Sequence, residues 1–210
     1  GEILDADIMM TDNFPRSSRR FIVEEVPRSM AGIASGAGQF CSFAGEAMAE
    51  TEFAMDLLEA RGELEPGSPE AEAFVNAYVR EVIAHEVGHT LGLRHNFRSS
   101  TIYTAAQLRD PEFTRKNGIV GSVMDYPPFN LPLKGEPKAE ILMQGLGPYD
   151  YWAIEYAYKP LDPATETEEL EKIASRGAKE PWLAFGTDED SFTGGGPQGM
   201  DPTVNVWDLT

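Results

Sequence analysis

The sequence predicts an α+β, helix-rich domain with a small sheet or a single edge strand, and three stretches carry that prediction. Over residues 1–10 the apolar side chains Leu4, Ala6, Ile8 and Met10 alternate with Asp5 and Asp7, the period of a strand with one buried face. Residues 40–61 are rich in Ala, Glu, Met and Leu and contain no proline, which favours a long helix ending near Gly62. Beyond Ser68, the residues Phe74, Val75, Tyr78, Val79, Val82, Ile83, Val87 and Leu91 recur at spacings of three and four, so an amphipathic second helix runs to Gly92. Ser68 and Pro69 start it as N-cap and first helical residue, where the missing proline N–H costs no hydrogen bond.

The remaining elements are shorter. Residues 21–23 read as a weak second strand after a turn-rich stretch, and residues 104–109 as a short helix. Four prolines between 126 and 137 demand a loop. Residues 148–158 form an aromatic helix whose Tyr149, Tyr151, Trp152, Tyr156 and Tyr158 read as core and rim packing rather than a ligand cage. Residues 166–174 form a charged surface helix that stops near Gly177. The stretch 186–199 mixes Asp188, Glu189 and Asp190 with a Gly194–Gly196 run; without the ordered EF-hand ligand pattern it reads as a solvated loop rather than a calcium site.

Composition narrows the function. The 210 residues suit one domain with a substantial core. A formal charge of −18 excludes a nucleic-acid partner, because no basic stripe exists to displace phosphate counterions. No apolar run is long enough to span a bilayer. Cys41 is the only cysteine, so no internal disulfide forms, and its apolar surroundings read as core. The chain opens at Gly1 without a methionine and reads as a piece of a longer polypeptide with flanking domains.

All three histidines fall within the eleven residues from His85 to His95, in the order His85-Glu86-Val87-Gly88-His89-Thr90-Leu91-Gly92-Leu93-Arg94-His95. Residues four apart on a helix are about 40° apart around the axis and about 6 Å along it, so His85 and His89 aim at one ion. A continued helix would carry His95 about 9 Å further and round the side. Gly92 resolves this: glycine tolerates the left-handed conformation that ends a helix, and the reversed chain brings His95 back. Three imidazoles leave a fourth position open to water, the arrangement of a catalytic zinc site, and Zn2+ is the expected cofactor. Glu86, about 100° round the helix from His85, is placed as the general base.

With its extended histidine motif and the Ser122-Val123-Met124-Asp125-Tyr126 stretch beginning 27 residues beyond His95, the chain resembles the metzincin clan of metallopeptidases. More narrowly it resembles the Met-zincin catalytic domain of large bacterial zinc-dependent metalloproteases, on residues 1–8, 85–103, 122–126, 147–161 and 206–209. The resemblance implies an α+β, helix-rich metzincin-like zinc-protease domain over residues 1–210. Residues 1–97 would carry the edge strand, a backing helix and the active-site helix, and residues 98–210 the methionine turn and a C-terminal lobe. It implies that Met124 floors the site, that Tyr126 assists catalysis by stabilising the oxyanion, that extended protein or peptide substrate pairs with the edge strand, and that the protein acts outside the cytoplasm. Asn96 differs from the residues that mark several metzincin subfamilies, so their substrate preferences do not transfer. Two alternatives stand beside the endopeptidase: a non-catalytic zinc-binding peptide-recognition module, and a zinc hydrolase of another amide.

Overall fold

The computed structural model describes residues 3–8, 43–65, 67–191 and 201–204, with backbone alone at 43–50 and 52. Two long helices come first, α1 (Phe43–Ala60) and α2 (Pro69–Thr90). A 3-10 turn at Phe97–Ile102 leads to two short helices, α3 (Ala105–Leu108) and α4 (Pro111–Asn117). The aromatic helix α5 (Pro148–Tyr158) and the charged helix α6 (Glu166–Ala174) follow, with 3-10 turns at Ser175–Ala178 and Pro181–Leu183.

The helix starts have local chemical causes. The Ser68 side chain accepts a hydrogen bond from the Ala71 N–H at 3.1 Å, satisfying an amide that the first turn of α2 leaves without a partner. Thr104 and Gln107 close a capping box on α3. Asp110 caps α4 by accepting from the N–H groups of Glu112 and Phe113, with Pro111 at the first turn. Helix α4 has only seven residues, too short for an apolar period to announce it, although Asp110-Pro111 is itself a start signal.

Helix α2 lies between two apolar clusters, and this is what holds the site in place. Its Ala71, Phe74, Val75, Tyr78 and Val82 join Ala54, Met55 and Leu58 of α1, together with Phe97, Tyr126, Phe129, Leu142 and Val204. The Phe129 ring meets Phe74 and Tyr78 edge-on, at centroid distances of 5.5 and 6.0 Å. Ala84 of α2 packs with Leu93 and Tyr103 against a second cluster of Leu108, Ile119, Val120, Val123, Met124 and Met143. Each fully buried large apolar side chain contributes about 1.5–3 kcal/mol, so the helix is anchored on two sides just where His85 stands.

The sheet is a point of difference. Among the described residues there is no strand, and the described fold is helix-rich without the expected small sheet or edge strand. Residues 3–8 have no regular structure and Leu4 is 87 % exposed. Alternation becomes a strand only where a neighbouring chain completes the hydrogen-bond ladder, and no described residue does so here. The weak strand expected at 21–23, and Cys41, lie outside the described residues. No helix among those described is long and apolar enough to cross a membrane.

The aromatic helix packs as expected. Tyr149 is buried and stacks on Phe185, the Trp152 Nε1–H donates to the Ile173 carbonyl at 2.7 Å, and Tyr151 and Tyr156 are exposed at the rim. Its last residue reaches the site: the Tyr158 hydroxyl donates to the Leu91 carbonyl at 2.8 Å, just past the end of α2.

Candidate metal centre

The end of α2 reverses the chain as the spacing of the histidines requires. Gly92 has φ +82°. The Gly92 N–H donates to the His89 carbonyl at 2.9 Å and the Leu93 N–H to the Gly88 carbonyl at 3.0 Å, the paired bonds of a Schellman cap. A Cβ at position 92 would meet nothing within 4 Å, so the backbone twist, and not crowding, calls for glycine.

His85, His89 and His95 converge, their candidate ligand atoms lying within 4.8 Å of one another. What faces the other side of each ring decides its protonation. The His85 Nδ1 lies 2.7 Å from the Val123 carbonyl, and the His89 Nδ1 lies 3.0 Å from the Leu93 carbonyl on the reversed chain. The His95 Nδ1 lies 2.8 and 3.0 Å from the two carboxylate oxygens of Asp188. Burial pushes the Asp188 carboxyl up, but the hydrogen bond and charge of His95, with help from Thr187, outweigh it and hold the group below the usual carboxylate range. Carbonyls and an ionised carboxylate only accept, so each Nδ1 carries the proton and each Nε2 keeps its lone pair.

In that tautomer His89 Nε2 and His95 Nε2 face each other by their lone pairs at 3.2 Å. Two lone pairs at that distance repel unless a cation lies between them. Ligands about 2.1 Å from a tetrahedral zinc are about 3.4 Å apart, so the donor set fits the ion in type and the His89–His95 pair fits it in spacing. His85, fully buried, is pushed down to about 3, first by burial and then by its electrostatic coupling to the neighbouring His89 ring. It therefore stays neutral at physiological pH, the form that binds metal.

The residues around the triad come from distant parts of the chain. Tyr126 is buried, with its hydroxyl 3.1 Å from His95 Nε2. Met124 is fully buried beneath α2, so close that a Cβ at Gly88 would collide with its sulfur. Glu86 is half-buried beside His85, and among the described residues its carboxylate has no hydrogen-bond or ion-pair partner.

A second carboxylate shapes the turn that carries Val123, Met124 and Tyr126. Asp150, at the start of α5, accepts from the Ser122 hydroxyl at 2.5 Å, the Val123 N–H at 3.0 Å and the Gly147 N–H at 2.7 Å. Its burial pushes its carboxyl up, partly offset by these three donors. The Val123 carbonyl, thus fixed, receives the His85 proton. Asn96 joins in by donating its backbone N–H to the Met124 carbonyl at 2.9 Å.

The sequence signalled the three ligands, Glu86, Met124 and Tyr126, and missed Asp150 and Asp188. Asp188 is 93 residues from His95 and sits in the stretch read as a solvated loop. No local spacing could pair them. The acidic cluster is engaged by protein groups: Asp188 by His95, Glu189 by Arg94, and Asp190 by the Thr187 N–H at 3.1 Å. Residues 194–196 lie outside those described. A cavity of about 410 Å³ opens elsewhere, between the first half of α2 and residues 132–144, and none of the three histidines lines it.

Three imidazoles on a helix end and the turn after it form a group that could hold a metal ion, and histidine donors suit zinc. The chain belongs to the Met-zincin family, whose profile matches residues 67–210, from just before the N-cap of α2 to the last residue. No curated protein and no solved structure matches the chain.

Proposed function

We propose that this chain is the catalytic domain of a zinc-dependent endopeptidase, with His85, His89 and His95 as zinc ligands, Glu86 as general base and Tyr126 as oxyanion donor. The observation that carries the reading is the convergence of three imidazoles whose candidate ligand atoms lie within 4.8 Å of one another, each with its Nδ1 turned to a protein acceptor. Membership of the Met-zincin family supports it. Residues 1–97 and 98–210 act here as one catalytic unit, since the turn at 122–126 and Asp188 complete a centre begun on α2.

A zinc ion held there supplies Lewis-acid polarisation of the peptide carbonyl and makes a water more acidic. The carboxylate of Glu86, which no other group among the described residues engages, takes the proton of the attacking water and returns it to the amide nitrogen as that nitrogen leaves. The Tyr126 hydroxyl donates to the oxygen on which negative charge develops. Met124 gives the ring ligands a dry floor and takes no part in proton transfer.

Glu86→Gln tests the assignment. It should retain one zinc per chain by mass spectrometry of the native protein, while kcat/KM on a fluorogenic peptide library falls by about 10²–10⁴-fold. Undiminished peptide turnover in that variant would remove Glu86 from the role of base. A wild-type chain that binds zinc and cleaves no peptide would favour the recognition-module alternative.

A further inference from the structure

His95 differs from the other two ligands in two respects. His85 and His89 stand on a helix and donate their Nδ1 protons to neutral backbone carbonyls. His95 lies beyond the helix on irregular backbone, and its Nδ1 proton goes to a carboxylate. We infer that Asp188 is a positioning residue of the metal centre, which holds His95 in the tautomer and orientation that present Nε2 to the cation and strengthens that ring as a donor. The inference rests on the reading of the three histidines as a zinc site.

The carboxylate is itself held in place. Segment 184–188 docks in register on residues 95–97. The Asn96 Nδ2–H donates to the Ala184 carbonyl at 3.1 Å, the Gly186 N–H donates to the Asn96 Oδ1 at 3.1 Å, and the Phe97 N–H donates to the Gly186 carbonyl at 2.8 Å. Asn96 is fully buried, so these bonds form away from water. Val204 crosses Gly186 so closely that a Cβ there would strike it. The Thr187 hydroxyl then donates to Asp188 Oδ2 at 3.2 Å. Both Asp188 oxygens thus face His95, whose side chain is only 12 % exposed. A carboxylate on the far nitrogen of a metal-binding imidazole fixes the tautomer and raises the basicity of the near nitrogen. Asn96, which the sequence marked only as unusual, becomes the residue that ties this segment to the metal loop.

The test compares the wild-type chain with Asp188→Asn, Asp188→Ala and Glu189→Gln. Zinc affinity is measured by competition with a chromophoric chelator, and the His95 tautomer in the zinc-free wild type by ¹⁵N NMR. His95 should carry its proton on Nδ1. Asp188→Ala should bind zinc about 10- to 100-fold more weakly. Asp188→Asn keeps an accepting oxygen without the charge and should lose less than the alanine variant. Glu189→Gln breaks only the exposed pair with Arg94 and should stay within about twofold of wild type. Wild-type affinity in Asp188→Ala overturns the inference, as does an equal loss in Glu189→Gln or a proton on His95 Nε2 in the wild type. A wild type that binds no zinc would overturn the metal site itself, and this inference with it. Tight wild-type binding with unaffected variants would overturn the role of Asp188 alone.

Discussion

His85 and His89 share one helix and owe their mutual position to four residues of regular backbone, whereas the groups that orient the rings come from three separate segments. The helical half of the centre is local: a cap at Ser68, an apolar face and a Schellman end at Gly92. The other half is assembled over long sequence distances, with Val123 set by Asp150 and His95 set by Asp188. A ligand pair can thus be specified by helical geometry and the turn after it, while the direction of the His85 lone pair depends on an acceptor 38 residues away that only folding brings near.

Substitutions in the two halves should separate these contributions. The largest effect is expected from His89→Ala, which removes a donor and should abolish stoichiometric zinc binding by mass spectrometry; retained zinc would mean that two ligands suffice. Asp150→Ala touches no ligand, yet it strands the buried Val123 and Gly147 N–H groups. It should cost about 2–5 kcal/mol of unfolding free energy in urea and weaken zinc binding through His85. Unchanged zinc affinity in a folded Asp150→Ala would show that the helical half is self-sufficient.

Glu81 probes the interior of α2 itself. It is buried one turn before His85, its Oε2 has no hydrogen-bond partner among the described residues, and burial pushes its carboxyl up to about 8, partly opposed by the backbone of Met143. The folded value lies above the ordinary 4.5, so the fold favours the neutral acid. That contribution to stability is complete below about pH 4.5 and is lost as the pH rises through about 8. Glu81→Gln copies the neutral form, so the wild type measured relative to it should lose up to about 5 kcal/mol between these limits in urea titrations of the zinc-free chain. A pH-independent difference would place a water or a charge beside Glu81. The smallest effect is expected from Gly92→Ala, about 1 kcal/mol in thermal or urea unfolding, because the cost lies in the left-handed backbone and not in crowding. A much larger loss, with weakened zinc binding, would mean that the reversal needs more than the backbone twist.

The legible parts of the molecule share one property. Helices α2 and α6, the loop through the prolines after Tyr126, and the clamp of His85 and His89 all follow from residues a few positions apart, where covalent geometry limits the choices. The alternation over residues 1–10 was equally regular, yet 3–8 form no strand among the described residues. A helix satisfies its own backbone, and a strand requires a partner.

By itself the sequence determined the local motif: three histidines, a glutamate next to the first of them and a glycine that turns the chain, because each obeys a local spacing rule. Only the tertiary structure decided which acceptor faces the Nδ1 of each histidine, that Asp150 braces the methionine-bearing turn, and that an acidic loop 93 residues away supplies the partner of His95. The reason is physical. Hydrogen-bond partners are chosen by proximity in space, and between segments so far apart along the chain that proximity exists only after the apolar clusters on both sides of α2 have formed.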